Sequence, residues 1–516
     1  MVEVLTNLGI GFVNVFQPIN LLALAIGLFL GLLVAVLPGL TLAMGIVLML
    51  PFTYSMPIAP SIILLTAMYV TGTYGGAFTA ILFKIPGEPI DVPLLWDGYT
   101  MARNGYPAKA LGWTLFAALF GGLVAATVMV TLSLPIARIA LTFSSAEYLA
   151  IIVFGLTSVV ALAGASLINS LISLYLGLLI SCVGVDDTYG VPRYTFGINM
   201  LQDGIQYITI MVGAYGIGEV LSRLERGFKS APLEKVGAIK TKLPSLKEIG
   251  DVKWSFLRGS TLGILIGMVP GAGATISSFV SYGIESQYGK RKNEMGTGIA
   301  EGIVAPQSAA TASVGGAMVP LMTLGIPGSG ATAIILAAFM MHGMQPGPQI
   351  FVKSPEIVYS IFASLFVGII GMCVIGYLGI KLLVKVLDFP EAIVSVFVVL
   401  FCFVGAYSSR NNITDVWMIV MFGVIGYLFQ RFKFPIAPMV LGSILGPLAE
   451  NAFMTTMFSS QNDWTVFFTR PISGAVMALS AVALLLPLIR YLRQRNSTST
   501  GTAFASKPSD VQAGDV

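Results

Sequence analysis

Two long uncharged stretches of the chain carry the same set of backbone-breaking residues at matched places. The first set is Pro38-Gly39, Gly75-Gly76 and Ile85-Pro86-Gly87. The second is Pro270-Gly271, Gly315-Gly316 and Ile326-Pro327-Gly328. A helix broken inside an apolar layer frees amides and carbonyls that lipid cannot satisfy, so such breaks persist only under protein or beside a water-filled cavity. A freed helix N-terminus presents N–H groups and partial positive charge, which suits a carboxylate, while freed carbonyls suit a cation. Paired breaks in two halves are the sequence pointer to a solute site in transporters.

The candidate substrate-binding residues follow from those breaks. In the first half they are Gly39, Thr41, Gly75, Gly76, Thr79, Pro86 and Gly87; in the second, Gly271, Gly273, Gly315, Gly316, Pro327, Gly328 and Ser329. Gln307 and Ser308 join them as uncharged polar groups in an otherwise apolar run. The plainer alternative is that the glycines only let helices pack closely, and that Pro38-Gly39 and Pro270-Gly271 are simple turns. Other polar residues point elsewhere. Lys84 reads as an inside-loop lysine or a substrate partner, and Glu301 as a helix end. Asp186-Asp187 with Arg193 reads as an interfacial turn, and His342, the only histidine, as a loop residue. No catalytic set, phosphate-binding loop or metal cluster emerges, which argues against an enzyme, a metal cofactor and ATP-driven transport by this chain. A sodium or proton gradient is the simpler drive.

These breaks need membrane-spanning elements to hold them. Apolar residues make up 56% of the 516, charged residues only 10%, and the mean hydropathy is +0.87. Soluble domains carry roughly 25% charge. From Glu3 to Lys84 no charged side chain occurs, and seven further gaps are about as long as the ~20 residues that span hydrocarbon. The fold expected is an all-α polytopic membrane protein of about 11–14 segments, with broken helices and re-entrant hairpins. The small positive charge comes from loop residues and implies no nucleic-acid partner. Basic residues from Arg223 to Arg258 and at Arg490, Arg493 and Arg495 mark cytoplasmic segments. The first stretch has no positive charge before Lys84, which suits a periplasmic N-terminus and a cytoplasmic C-terminus. Matched loops of the two halves carry opposite charge bias, the pattern of inverted-topology repeats. The organisation expected is a first membrane repeat at 1–222, a basic linker at 223–258, a second repeat at 259–460, a last helix at 461–495 and a disordered tail at 496–516.

The motifs together resemble those of the large membrane subunit of the tripartite tricarboxylate transporter family, over nearly the whole length. They are Leu37-Pro38-Gly39, Ile85-Pro86-Gly87-Glu88-Pro89, Asp97-Gly98-Tyr99, Gly190 to Gly197, Val269-Pro270-Gly271, Gly325-Ile326-Pro327-Gly328-Ser329 and His342-Gly343-Met344-Gln345-Pro346-Gly347-Pro348. The resemblance implies a bacterial inner-membrane permease that imports small organic carboxylates as a secondary transporter, and an elevator-type motion by analogy. It also implies two partners, a small four-helix membrane subunit and a periplasmic solute-binding protein. After Pro306 the chain departs from the family, with Gln307-Ser308-Ala309-Ala310-Thr311 where an acidic residue and paired asparagines are usual. A self-sufficient carrier for another anion is the competing reading, and the sequence is compatible with a homodimer.

Overall fold

A computed structural model describes residues 2–37, 40–162, 166–186, 189–227, 241–379, 391–410 and 412–500. Pro38, Gly39, Asp187, Lys229, Lys235, Lys240 and residues 501–516 of the tail lie outside the described residues. The described chain is helical almost throughout. Its one sheet is a two-residue antiparallel pair, Gly184–Val185 with Pro192–Arg193. An all-α polytopic membrane protein is what this composition folds into, because helices satisfy their own backbone groups within each segment.

The first half opens with α1 (Val2–Val15), α2 (Pro18–Val36), α3 (Leu42–Thr53) and α4 (Ile58–Phe83). A short turn at Pro89–Asp91 leads to α5 (Leu94–Arg103) and α6 (Pro107–Ala140). Next come α7 (Ser145–Leu162), α8 (Leu167–Ser181), α9 (Tyr207–Met211), a π-wound turn (Val212–Ile217) and α10 (Gly218–Arg226). The second half begins after the short α11 (Leu246–Asp251). It has α12 (Lys253–Gly267), α13 (Gly273–Tyr288), α14 (Glu301–Leu324), α15 (Gly330–Met341), α16 (Ile350–Lys353) and α17 (Pro355–Leu378). The chain closes with α18 (Glu391–Arg410), α19 (Ile413–Arg431), α20 (Ile436–Ser459), α21 (Val466–Thr469) and α22 (Pro471–Thr500).

Local chemistry sets the boundaries. Pro18 occupies the first turn of α2 and Pro107 that of α6, where a missing N–H is harmless. Thr41 caps α3, its hydroxyl accepting from the Met44 amide at 3.2 Å. Helix α4 stops at Lys84 and α14 at Gly325, each in the left-handed conformation, ahead of the matched Ile-Pro-Gly.

Helices α12 and α13 form a hairpin. The Arg258 guanidinium reaches the Tyr288 carbonyl at 3.1 Å and the Glu285 carboxylate at 2.9 Å, so the two bases stand together. Each arm has 15 or 16 residues, about 23 Å at 1.5 Å per residue, short of a ~30 Å hydrocarbon core. Helices α2 and α3 pair likewise, with Gly45 against Val34.

The halves interleave rather than sit apart. Helix α14 packs along α12 and also along α6, while α4 packs along α2 and also along α17. Among the described residues seven helices are long and apolar enough to cross a membrane: α2, α4, α6, α7, α17, α19 and α20. Helix α14 is 24 residues long yet is not among them. Glu301 through Thr323 are all buried by other helices, so the segment needs no lipid-facing apolar surface and tolerates Gln307, Ser308, Thr311 and Ser313. Wholly lipid-facing helices would have to replace those groups.

Candidate functional site

The helix breaks of both halves converge on one cavity of about 380 Å³. Thr41 comes from the tip of the first hairpin, Gly271 from the tip of the second, and Ser329 and Gly330 from the break after α14. The far wall is built by Val159 of α7, Tyr215 of the π-wound turn, Glu219 of α10 and Gln430 of α19, closed below by Phe434 and Pro435. Backbone and hydroxyl contacts lock the near wall. The Gly271 amide donates to the Gly328 carbonyl at 3.1 Å, which fixes the second hairpin tip against the second break. Tyr69, buried on α4, places its hydroxyl 3.0 Å from the Ser329 hydroxyl. The first half thereby holds a residue of the second half's break.

Glu219 is the one carboxylate on this wall, and it is neutralised in place. Its two oxygens accept from the Arg223 guanidinium at 3.3 Å and the Gln430 amide at 3.0 Å, with Arg226 at 3.9 Å. A carboxylate facing two guanidinium groups leaves the wall favourable to an anion rather than a cation. Below Gln430, Phe434 and Pro435 lies a second, wider cavity of about 800 Å³, lined by Arg226, Arg431 and Lys433 together with Glu225. The two cavities share Gln430, Phe434 and Pro435 in their linings, so the basic pocket lies against the floor of the central one.

Sequence-derived candidates divide between the cavity and the helix seams. Thr41, Gly271 and Ser329 line the cavity. Gly273 begins α13 beside Ser329, where a methyl group would lie 3.5 Å from the Ser329 β-carbon. The other glycines let backbones touch. A methyl group on Gly75 would come within 2.7 Å of Ala35, on Gly315 within 2.8 Å of Ala125, and on Gly316 within 2.6 Å of the Ile264 carbonyl. Gly76 and Gly87 face each other, and Gly328 lies against the Gly267 carbonyl. The Thr79 hydroxyl donates to the Gly76 carbonyl at 2.9 Å, tying its own helix end ahead of Pro86. Pro327 is buried in the second break. Gln307 is a strut: its amide donates to the Thr73 carbonyl at 3.1 Å, joining α14 to α4 at mid-length. Ser308 is buried where α14 meets α6, its hydroxyl on the Ala305 carbonyl at 3.2 Å.

Several cavity residues carry no role in the sequence reading, among them Val159, Tyr215, Glu219 and Gln430. A signal for Glu219 exists, an acidic residue directly after the apolar run Tyr207–Ile217 with Arg223 one turn on. Nothing local marks Val159 or Gln430. The remaining polar residues stay outside the cavity. Arg193 bridges Asp186 at 3.5 Å and Glu450 at 2.5 Å beside the small sheet. Lys84 stands over the Tyr99 ring, Glu301 begins α14 with Arg291 3.5 Å away, and His342 ends α15. Among the described residues no group of three or more His, Cys, Asp or Glu could hold a metal ion.

A multi-pass helical membrane protein with hairpin tips and a helix break around one recessed cavity, mainly apolar with a few polar groups, is built as a transporter is built. The chain belongs to the tripartite tricarboxylate transporter TctA family, whose model matches residues 21–441. It is therefore the large subunit of a multi-component transport system and not an enzyme. It is similar, at 34% identity over 495 residues, to an uncharacterized 52.8 kDa protein of the TAR-I ttuC' 3' region of Agrobacterium vitis. That match covers 96% of this chain and 98% of the relative. A second Agrobacterium vitis protein, uncharacterized, of the TAR-II ttuC' 3' region, is 36% identical over 233 residues, covering 45% of this chain and 96% of its own length. No solved structure matches the chain.

Proposed function

We propose that the chain is the permease subunit of a binding-protein-dependent secondary transporter for small organic di- and tricarboxylates. The observation that carries this reading is the meeting of Thr41, Gly271 and Ser329, from three separate breaks in two halves, on the wall of one recessed cavity. A helix N-terminus at such a break supplies N–H groups and partial positive charge, the match for a carboxylate, and of α3, α13 and α15 it is α13 that has no side-chain cap. The basic pocket beneath, with Arg226, Arg431 and Lys433, lowers the electrostatic cost of an anion leaving toward the positively charged, cytoplasmic side.

In this reading the protein sits in a bacterial inner membrane with its N-terminus in the periplasm, and its halves are inverted repeats. A periplasmic solute-binding protein delivers the carboxylate and a small four-helix subunit completes the membrane complex. A sodium or proton gradient drives import. The two hairpins, whose tips close on the cavity, move as the carrying unit of an elevator-type step against α7, α19 and α20.

Reconstituting the chain in liposomes with both partners and a panel of labelled carboxylates tests the proposal. Uptake is expected only with the binding protein present, and it is expected to stop when sodium and proton gradients are collapsed together. Uptake that needs neither would overturn the coupling, and absence of any carboxylate uptake from the complete system would overturn the substrate class.

A further inference from the structure

Two sequence motifs have no place in the central cavity: Gly190 to Gly197 and His342 to Pro348. Both lie toward the other end of the bundle. Helices α9 and α10, joined by the π-wound turn, run unbroken from Tyr207 to Arg226, roughly 30 Å at 1.5 Å per residue. Arg226 lines the basic pocket, and Tyr207 lines a cavity of about 370 Å³ at the opposite face. The chain between α8 and α9 builds that cavity together with Ser443, Pro447, Glu450 and Asn451 of α20. Asn451 also lines a neighbouring cavity of about 310 Å³, walled by the loop from Gln345 to Gln349 and by Gly325 of the break after α14.

The 370 Å³ cavity is electronegative. Asp186, Asp203 and Glu450 line it with a single guanidinium, that of Arg193. Two of the three carboxylates take up that guanidinium, Glu450 at 2.5 and 3.0 Å and Asp186 at 3.5 Å. Asp203 is exposed and has no partner among the described residues. The same loop carries an apolar ridge. Phe196 is 84% exposed and Tyr189 65%, and Val191, Tyr194, Ile198 and Met200 are each at least half exposed. Asp186, Arg193 and Asp203 on this loop keep it out of hydrocarbon, and apolar side chains clustered in water mark an interaction surface. Aromatic anchors around a charged centre are what a protein partner of opposite charge fits.

From this surface we infer that the loop between α8 and α9 is the docking site of the periplasmic solute-binding protein. The partner seats apolar surface on Tyr189, Tyr194 and Phe196 and places a lysine or arginine in the acidic cavity, against Asp203. Seated there it covers both adjoining cavities, so solute leaving it stands beside the Gln345–Gln349 loop and Gly325. The inference rests on the binding-protein-dependent reading given above, and it assigns that partner to one loop and one unpaired charge.

Binding of the system's purified solute-binding protein to the full-length permease, assembled with the small subunit in nanodiscs, tests the assignment. Asp203→Lys is expected to weaken binding by roughly tenfold or more and to flatten its salt dependence. Phe196→Ser is expected to weaken it by about tenfold or more as well. Asp203→Glu keeps the charge and is expected to bind as the parent does. Both side chains are exposed, so all three variants are expected to elute with the parent on size exclusion. For a readout independent of affinity, Phe196→p-benzoylphenylalanine is irradiated in the complex and is expected to cross-link to the solute-binding protein. Parent affinity in Asp203→Lys or in Phe196→Ser, or cross-links from position 196 to lipid alone, overturns the assignment while leaving binding-protein dependence intact. A parent complex that does not bind the solute-binding protein overturns the functional reading and this assignment with it.

Discussion

The break after α4 and the break after α14 begin with the same three residues and are closed by different groups. After α4, Glu88 turns back onto α3, and Asp91 accepts from the Glu88 amide at 2.9 Å, so the turn is closed by its own carboxylates. After α14, Ser329 caps α15, its hydroxyl accepting from the Thr332 amide at 3.3 Å, and pairs with the Tyr69 hydroxyl at 3.0 Å. One half therefore closes a hairpin tip with carboxyl groups of its own break, and the other closes its break with a pair of hydroxyl groups.

Breaking the packing common to both halves is expected to have the largest effect. Gly316→Leu forces a side chain into the Ile264 backbone between α14 and α12, at a cost on the order of 3 kcal/mol or more. Loss of monodisperse protein on size exclusion is the outcome expected, whereas Gly330→Ala, with open space around the position, is expected to remain folded.

Next comes a carboxylate that joins the halves. Asp97 on α5 is fully buried and accepts from the amides of Gly296, Gly298 and Ile299 at 2.8 to 3.0 Å and from the Tyr282 hydroxyl at 2.9 Å. Asp97→Asn turns one acceptor into a donor facing those amides, and a loss of about 2–4 kcal/mol is expected in unfolding from detergent. Asp97→Glu is expected not to restore it, since Gly302 leaves no room beside the carboxylate.

A smaller effect sharpens the contrast itself. Glu88→Ser converts the carboxyl-closed break into the hydroxyl type and is expected to cost about 1 kcal/mol, the usual worth of a cap. Added acetate is expected to recover part of the lost thermal stability in Glu88→Ser and none in the parent at the same concentration. Absence of any acetate effect would break the contrast between the halves.

The smallest effect lies outside the membrane. Lys109, 2.5 Å from Glu248, and the Ser245 backbone and hydroxyl hold the Glu248 carboxyl down to about 2. Because the folded value is depressed, the stability it contributes is present above the ordinary carboxylate range and is lost as pH falls toward 2. Both side chains are more than a third exposed, so Lys109→Ala is expected to change stability by a few tenths of a kcal/mol at neutral pH. The difference between variant and parent is expected to vanish in acid.

Composition and the charge-free gaps determine by themselves that this chain is a bundle of membrane helices, because a helix satisfies its own backbone in lipid and the gaps have the ~20-residue length of helical spans rather than of barrel strands. The duplicated Pro-Gly and Ile-Pro-Gly motifs likewise mark where helices stop, since proline removes a backbone donor, while the left-handed turn itself falls on Lys84 and Gly325 just ahead of each Ile-Pro-Gly. What the glycines face is a different matter. Gly75, Gly315 and Gly316 read in the sequence as ligand contacts, with close packing as the plainer alternative, and only their distances to Ala35, Ala125 and Ile264 place them in seams. The cavity wall is likewise a tertiary decision. Val159, the pair Tyr215 and Glu219, and Gln430 come from three segments far apart in the chain, so their meeting depends on how α7, the π-wound turn with α10, and α19 pack. Sequence periodicity records which residues share a helix face; it does not record which other helix, break or empty space that face will meet.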